Sequence, residues 1–326
     1  MKKIVGIDVS KAKLDCLWLR DPELMKAKSK VIENTAQGHQ NLVAWLNATL
    51  QCPPSQVLVV MEATGIYHEQ LAQALYAAGF AVAVVNPVQI KRFGQSLGAV
   101  HKTDKQDSFI IARYGATQHP SLWQPEAAEI RELKALVTRL EMLEKDCQRE
   151  SNRLEKAQLS HSSEIVIQSI RKMFEELTAE KKRLQREIDD HINRQPRLKK
   201  DRALLESIPG IGPVLSRVML SVIHSRDFRH ARDVAAYLGV IPVLVESGLF
   251  KGKSRLSKRG PARVRAKLYM AAIVASQHNT LIAAQKARLL ANGKTKMQAL
   301  GAAMRKLVHL CFGVIKNQTE YSPHAL

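Results

Sequence analysis

The chain has 326 residues, with 50 Lys and Arg against 30 Asp and Glu, a formal net charge of +20 and a 45% hydrophobic fraction. That length suggests two or three domains, the apolar content excludes wholesale disorder, and no run of about 18 apolar residues exists to span a membrane. Cys16, Cys52, Cys147 and Cys311 lie far apart with no CxxC pair, which argues against a disulfide framework or a zinc site of the usual spacing and fits a reducing cytoplasm.

Residues 1–125 read as α/β. Met1-Lys2-Lys3-Ile4-Val5 runs straight into a strand and does not read as a signal peptide. Ile4 to Val9 is a short apolar strand, Leu14 to Leu19 predicts the next one after a tight turn, and Val31-Ile32 marks a third. Leu42, Val43, Leu46 and Leu50 have helical spacing, and Val57 to Met61 is an uninterrupted apolar strand suited to the centre of a sheet. Glu69 to Ala78 predicts a helix ending at Gly79, and Phe80 to Val85 a strand stopped by Asn86-Pro87. Three strands in hairpin order, followed by alternating helix and strand, predict a mixed sheet flanked by helices.

Residues 126–198 predict two long helices forming an antiparallel coiled-coil hairpin. Leu133, Leu136, Leu140, Leu143 and Cys147 step by 3 and 4, as do Ile167, Ile170, Phe174, Leu177, Lys181, Leu184 and Ile188, with a turn over 158–163. Residues 199–326 read as helical, apart from an irregular stretch, Val243 to Gly260, rich in Gly, Ser, Lys and Arg. Charge follows this division. Residues 1–120 hold 13 basic and 9 acidic residues, 121–200 hold 17 and 15, and 201–326 hold 20 and 6. In the segment Lys251–Lys267, 8 of 17 residues are basic and none is acidic, which favours a polyanion partner, nucleic acid above all.

The candidate chemistry sits in four carboxylates. Asp8 is embedded in an apolar strand, where an acid is costly unless it is paired or binds a metal. Glu62 repeats the pattern at the end of the apolar run 57–61. Asp104 and Asp107, three residues apart at the start of a predicted helix, share a face. Hard oxygen donors without a His or Cys cluster suit Mg²⁺ or Mn²⁺, and two such ions about 3.5–4 Å apart can clamp a phosphate in phosphoryl transfer. Taken singly, Asp104 and Asp107 also fit as ordinary helix N-terminal acids and Glu62 as a helix cap. Pro209-Gly210-Ile211-Gly212-Pro213, between two helices, has the form of a helix-hairpin-helix turn that would bring Gly210 and Gly212 close to a phosphate; a plain turn is the structural alternative. Ser247, in Glu246-Ser247-Gly248, reads on its own as part of a turn, because no His–Asp pair stands at a recognisable spacing. Ser254 and Ser257 read as phosphate-binding hydroxyls among Lys251, Lys253, Arg255, Lys258, Arg259 and Arg263.

Taken in order, these motifs resemble a known family. Gly6-Ile7-Asp8, Met61-Glu62-Ala63-Thr64-Gly65-Ile66-Tyr67 and Lys102-Thr103-Asp104-Lys105-Gln106-Asp107 are similar to the DEDD motif of a group of bacterial insertion-sequence transposases with a RuvC-like, RNase H-fold N-terminal domain. Ile208-Pro209-Gly210-Ile211-Gly212 and the stretch from Glu246 to Gly260 resemble that group's second transposase domain. The resemblance implies Mg²⁺ ligation by Asp8, Glu62, Asp104 and Asp107. It also implies a nucleophilic serine, best matched by Ser247 with Ser254 as the second choice, that attacks a DNA phosphate to form a phosphoserine bond. A structured noncoding bridge RNA, pairing with target and donor DNA, is the implied guide.

The expectation is thus a site-specific DNA recombinase in three parts. These are a RuvC-like domain over 1–125, a coiled-coil hairpin over 126–198 and a helical C-terminal domain over 199–326. A homo-oligomer, dimer or tetramer, is expected in a bacterial cytoplasm, at the nucleoid when on DNA. A predicted hairpin helix of about 30 residues spans about 45 Å, so the two halves of the site need not meet within one chain. The resemblance, in which the serine domain of one subunit docks on the RuvC-like domain of another, implies a composite site formed between subunits. The alternatives are a Holliday-junction resolvase-like nuclease that hydrolyses with the carboxylates alone, and a non-catalytic RNA- or DNA-binding protein in which the acids are structural.

Overall fold

The computed structural model describes residues 2–21, 26–98, 104–243, 246–247, 250–251 and 255–323. Two compact units, 1–125 and 126–326, divide the chain.

The first unit is a five-stranded mixed sheet: β1 (Lys3–Val9), β2 (Lys13–Asp21), β3 (Lys26–Glu33), β4 (Val57–Glu62) and β5 (Ala81–Val85), in the order β3-β2-β1-β4-β5. The first three pair antiparallel, whereas β4 runs parallel to both β1 and β5. Helices α1 (Ala36–Leu50), α2 (Glu69–Ala77), α3 (Pro87–Ser96) and α4 (Asp104–Gln118) complete the unit. Alternation along the strands builds two cores. Val5, Ile7, Val9, Val57, Val59 and Met61 meet Leu42 and Leu46 of α1 and Leu71 and Leu75 of α2 on one face. Leu58, Val60, Ala83 and Val85 meet Ile90 of α3 and Ile110 and Ile111 of α4 on the other. Burial on both faces explains why β4 is apolar throughout.

The position of α4 is set by Gly6. A Cβ there would stand 2.2 Å from the Ser108 carbonyl oxygen and 2.5 Å from the Ala112 nitrogen, so only glycine lets the helix lie this close to β1. Further along α4, Gly115 lies against Val60 and Ile4. Ile4 stands near the start of β1 and Gly6 nearer its end. The helix therefore runs opposite to β1 and begins over that strand's C-terminal end.

The second unit begins with the hairpin α5 (Ala128–Leu159) and α6 (Glu164–Arg194), with the turn between them at 160–163. It continues through α7 (Pro196–Glu206), α8 (Pro213–Ile223) and α9 (Ala231–Tyr237). Four two-residue strands follow: β6 (Pro242–Val243), β7 (Glu246–Ser247), β8 (Phe250–Lys251) and β9 (Arg255–Leu256). The unit ends with α10 (Ala262–His278), α11 (Thr280–Ala291) and α12 (Lys296–Asn317). The seam residues Leu133, Leu140, Leu143, Leu184 and Ile188 join one continuous core with Leu215 and Met219 of α8 and Leu307 and Val308 of α12. Where α6 meets α7 and α8, Asp189 accepts from both Arg202 (2.9 Å) and Arg217 (2.6 Å). The buried Asp201 of α7 accepts from His224 at 2.8 Å and Gln318 at 2.7 Å, tying the end of α12 into the core. Burial works against its charge, but these hydrogen bonds outweigh it and hold the Asp201 carboxyl below its ordinary value. Among the described residues, no helix is long and apolar enough to cross a membrane.

Candidate active site

Two of the four sequence-selected carboxylates close neighbouring parallel strands. The register of β1 with β4 runs to Ile7 opposite Met61, and the next residues are Asp8 and Glu62. Alternation puts Asp8 on the face of Gly6, and Glu62 on the face of Val60, which is the face covered by α4. Asp104 and Asp107 occupy the first turn of α4, the end of the helix that begins over these strand termini. Asp8, Glu62 and Asp107 are half-buried. The fold thus brings all four positions to one edge of one sheet face, from segments more than forty residues apart. Glu62 does not cap the helix after it: α2 has His68 at its N-cap, six residues further on, with no side-chain cap. Burial pushes the His68 imidazole below its ordinary value.

In residue type and backbone placement this edge fits a divalent cation: carboxylate oxygens only, on two strand ends and a helix start. Among the described residues, no three His, Cys, Asp or Glu side chains are already gathered closely enough to hold an ion. The Asp104 side chain lies outside the described residues.

One acid was not picked out by sequence reasoning. Asp15 stands directly opposite Asp8 in the β1–β2 ladder, on the same face, and is paired with Lys13 at 3.3 Å. Like charges directly opposite each other are unfavourable, and the Lys13 ammonium beside Asp15 offsets that cost. The signal was available: Asp15 interrupts Leu14 to Leu19 just as Asp8 interrupts Ile4 to Val9.

In the second unit, Ser247 is exposed and lies on the β7–β8 hairpin, paired with Phe250. A second ladder, Pro242 with Leu256 and Val243 with Arg255, brackets it in sequence. Lys251 lies in β8; Lys253 and Ser254 fall outside the described residues. Arg255, Lys258 and Arg259 are exposed. The Lys258 and Ser257 backbones are pinned by hydrogen bonds to Gly239 (3.1 Å) and Ile241 (2.9 Å). Downstream, the cationic run is partly committed within the protein. Arg263 pairs with Glu141 at 3.5 Å, Lys267 with Glu144 at 2.9 Å, and Arg265 donates to the Gly260 carbonyl at 2.9 Å.

The two glycines of the 209–213 turn have different surroundings. Gly210 has φ +101°, and a Cβ there would stand 2.6 Å from the Ala275 Cβ of α10, so packing alone accounts for it. Gly212 is exposed with open space around it and forms the N-cap of α8, which leaves room for a partner.

Sequence relationships coincide with this geometry. Residues 5–161 match the DEDD transposase family of the IS110 group, and residues 202–287 match the transposase IS116/IS110/IS902 family. A pilin gene-inverting protein of Moraxella bovis is 32% identical over 324 residues, covering 98% of each chain. The chain belongs to the IS110 family of transposases. The transposase is therefore a DNA-recombining enzyme, and the family's DEDD designation points to divalent-metal use at its acids. A pilin gene-inverting protein of Moraxella lacunata is also 32% identical over 98% of this transposase. A probable family 20 transposase of Pseudomonas aeruginosa is 31% identical over 101 residues, 31% of this chain and 29% of that one. Among solved structures, Thermus thermophilus RuvC bound to a Holliday junction substrate aligns over 38% of this chain and all of its own, at 16% identity and a TM-score of 0.25.

Proposed function

We propose that this transposase exchanges DNA strands at specific sites through a phosphoserine intermediate. Asp8, Glu62, Asp104 and Asp107 hold Mg²⁺ (or Mn²⁺), and Ser247 is the nucleophile. The observation that supports the reading is the placement of the four acid positions at one edge of one sheet face. Asp8 and Glu62 end adjacent parallel strands on the face where α4 begins with Asp104 and Asp107. A cation bound there supplies charge neutralisation to a phosphate under attack. The Ser247 hydroxyl gives up its proton as its oxygen bonds to phosphorus, and the bond to the departing sugar oxygen breaks as that oxygen gains a proton. A free sugar hydroxyl of another strand then attacks the phosphoserine, which rejoins DNA and restores the serine. The exposure of Ser247 on a short hairpin, beside the cationic run from Lys251 to Arg259, supports this role.

The partners in this reading are target and donor DNA and a structured guide RNA, with the enzyme acting as a homo-oligomer. Sequence choice would lie in base pairing, leaving the protein to read backbone and shape. Gly212, Lys251, Lys253, Arg255, Lys258 and Arg259 would supply backbone contacts. Gly210 and Arg263 would support that surface from within, given their packing on Ala275 and pairing with Glu141.

The experiment compares Asp8→Asn, Asp104→Asn and Ser247→Ala. The two Asn variants should lose strand cleavage in Mg²⁺ while retaining nucleic-acid binding. Ser247→Ala should lose recombination as well. Full cleavage by either Asn variant would overturn the metal assignment. Hydrolytic cleavage retained by Ser247→Ala would favour the carboxylate-only nuclease.

A further inference from the structure

The β1–β4 ladder runs to Ile7 opposite Met61, one residue short of the two acids. Past that point Asp8 is paired outward to β2, opposite Asp15, and Glu62 outward to β5, opposite Val85. Ties beyond the ladder can hold together the segments that follow the two acids. Asn34, at the end of β3 and just before α1, supplies one. Its side-chain amide donates to the Ser10 carbonyl at 2.8 Å and to the Tyr67 carbonyl at 3.1 Å. Ser10 lies two residues after Asp8. Tyr67 connects back to Glu62 through hydrogen bonds from the Tyr67 N–H to the Thr64 carbonyl (3.2 Å) and from the Thr64 N–H to the Glu62 carbonyl (2.9 Å).

The amide is itself held. With both N–H groups donated to carbonyls, Asn34 Oδ1 is left as an acceptor, and His39 Nε2 stands 2.8 Å from it. His39 is therefore the donor, carrying its proton on Nε2. It is 5% exposed, and burial pushes its imidazole below the ordinary value, so it serves as a neutral donor. The Asn34 N–H also bonds the Ala12 carbonyl at 2.9 Å, fixing the residue to the β1–β2 turn.

We propose that Asn34, oriented by His39, is a positioning residue that sets the separation of Asp8 and Glu62 for the cation. The proposal rests on the metal reading given above. Groups hydrogen-bonded directly to a metal ligand change metal affinity by about 10–100-fold when removed, which is the ceiling for a clasp acting through Ser10 and Tyr67. Asn34→Asp is the sharpest variant, because it keeps an oxygen facing His39 but loses both donations to the strand-end carbonyls. His39→Gln retains an N–H donor, whereas His39→Leu does not.

The test is Mn²⁺ binding to the full-length protein by calorimetry, alongside the Mg²⁺ concentration giving half-maximal cleavage. Thermal melting and circular dichroism on each variant check the fold. Asn34→Asp and Asn34→Ala should bind Mn²⁺ more weakly, within that ceiling of about 10–100-fold, and shift the Mg²⁺ midpoint upward, with cleavage partly restored at high Mg²⁺. His39→Leu should behave similarly, and His39→Gln should stay near wild type. Asp8→Asn should lose Mn²⁺ binding altogether. Wild-type Mn²⁺ affinity in folded Asn34→Asp or His39→Leu, with Asp8→Asn defective, would overturn the clasp while leaving the metal site standing. Wild-type Mn²⁺ binding by Asp8→Asn would remove the metal reading and this proposal with it. If the Asn34 variants fail to fold, His39→Leu against His39→Gln decides the matter by the same two readouts.

Discussion

Gly6 is two residues from Asp8 and shows how one missing side chain shapes the site. It allows the Ser108 and Ala112 backbone to lie against β1, and so fixes where the first turn of α4 sits. Gly6→Ala would force that backbone away, an overpacking cost of about 1–3 kcal/mol. Cleavage should fall further than stability does, because the displaced helix carries Asp104 and Asp107. Thermal unfolding and cleavage rate measured together check this. A melting temperature and a rate both unchanged would show that α4 does not depend on this contact. Asp8 itself was legible in the sequence, because an acid inside Ile4 to Val9 breaks an apolar run. Asn34 was not, since its role arises from contacts with Ser10, Tyr67 and His39 that no local pattern encodes.

Among the elements, strong periodicity was legible and weak or ambiguous signals were not. The apolar runs of β1 and β4 and the seams of α5 and α6 gave their positions directly. The strand β3 extends over Lys26–Glu33 though only Ile32 of it is buried, so its exposed Lys and Ser residues carried no apolar alternation. Asn86-Pro87 reads as the end of a strand but also starts α3. Asn86 accepts from the Val88 N–H, and Pro87 takes the first helical position, where its missing N–H costs nothing. The cationic stretch after β6 reads as one continuous charged surface. The pairing of Arg263 and Lys267 with Glu141 and Glu144 of α5 divides it, and a partner some 120 residues away in sequence is invisible to local reading. The part upstream of Arg263 should carry the phosphate contacts. Neutralising Lys251, Lys253 and Arg255 together should weaken duplex binding and flatten its log–log salt dependence by about 0.9 for each phosphate no longer neutralised. An unchanged slope would place this loop away from the phosphates.

Across the whole molecule, the candidate carboxylates and the most cationic stretch of sequence belong to different units. The carboxylate edge belongs to the first unit, whose sequence is nearly balanced in charge, while residues 201–326, which include Ser247, carry 20 basic and 6 acidic residues. Family membership makes DNA the substrate, and the proposed function divides the work between the units. The first would hold the cation, and the second would hold nucleic acid and present a nucleophile. The order of motifs makes the family legible in the sequence itself, since the DEDD-like motifs fall within residues 5–161 and the stretch 209–260 within 202–287, the two segments that match the family. What sequence left open was whether the acids would converge, because that depends on β1 pairing parallel with β4 and on α4 returning over both. The most direct test of the account is to trap recombination under denaturing conditions and map any DNA-linked peptide by mass spectrometry. A phosphodiester on Ser247, present in the active enzyme and absent in both Ser247→Ala and Asp8→Asn, is the predicted result. Recombination without a covalent adduct, or an adduct on another residue such as Ser254, would contradict it.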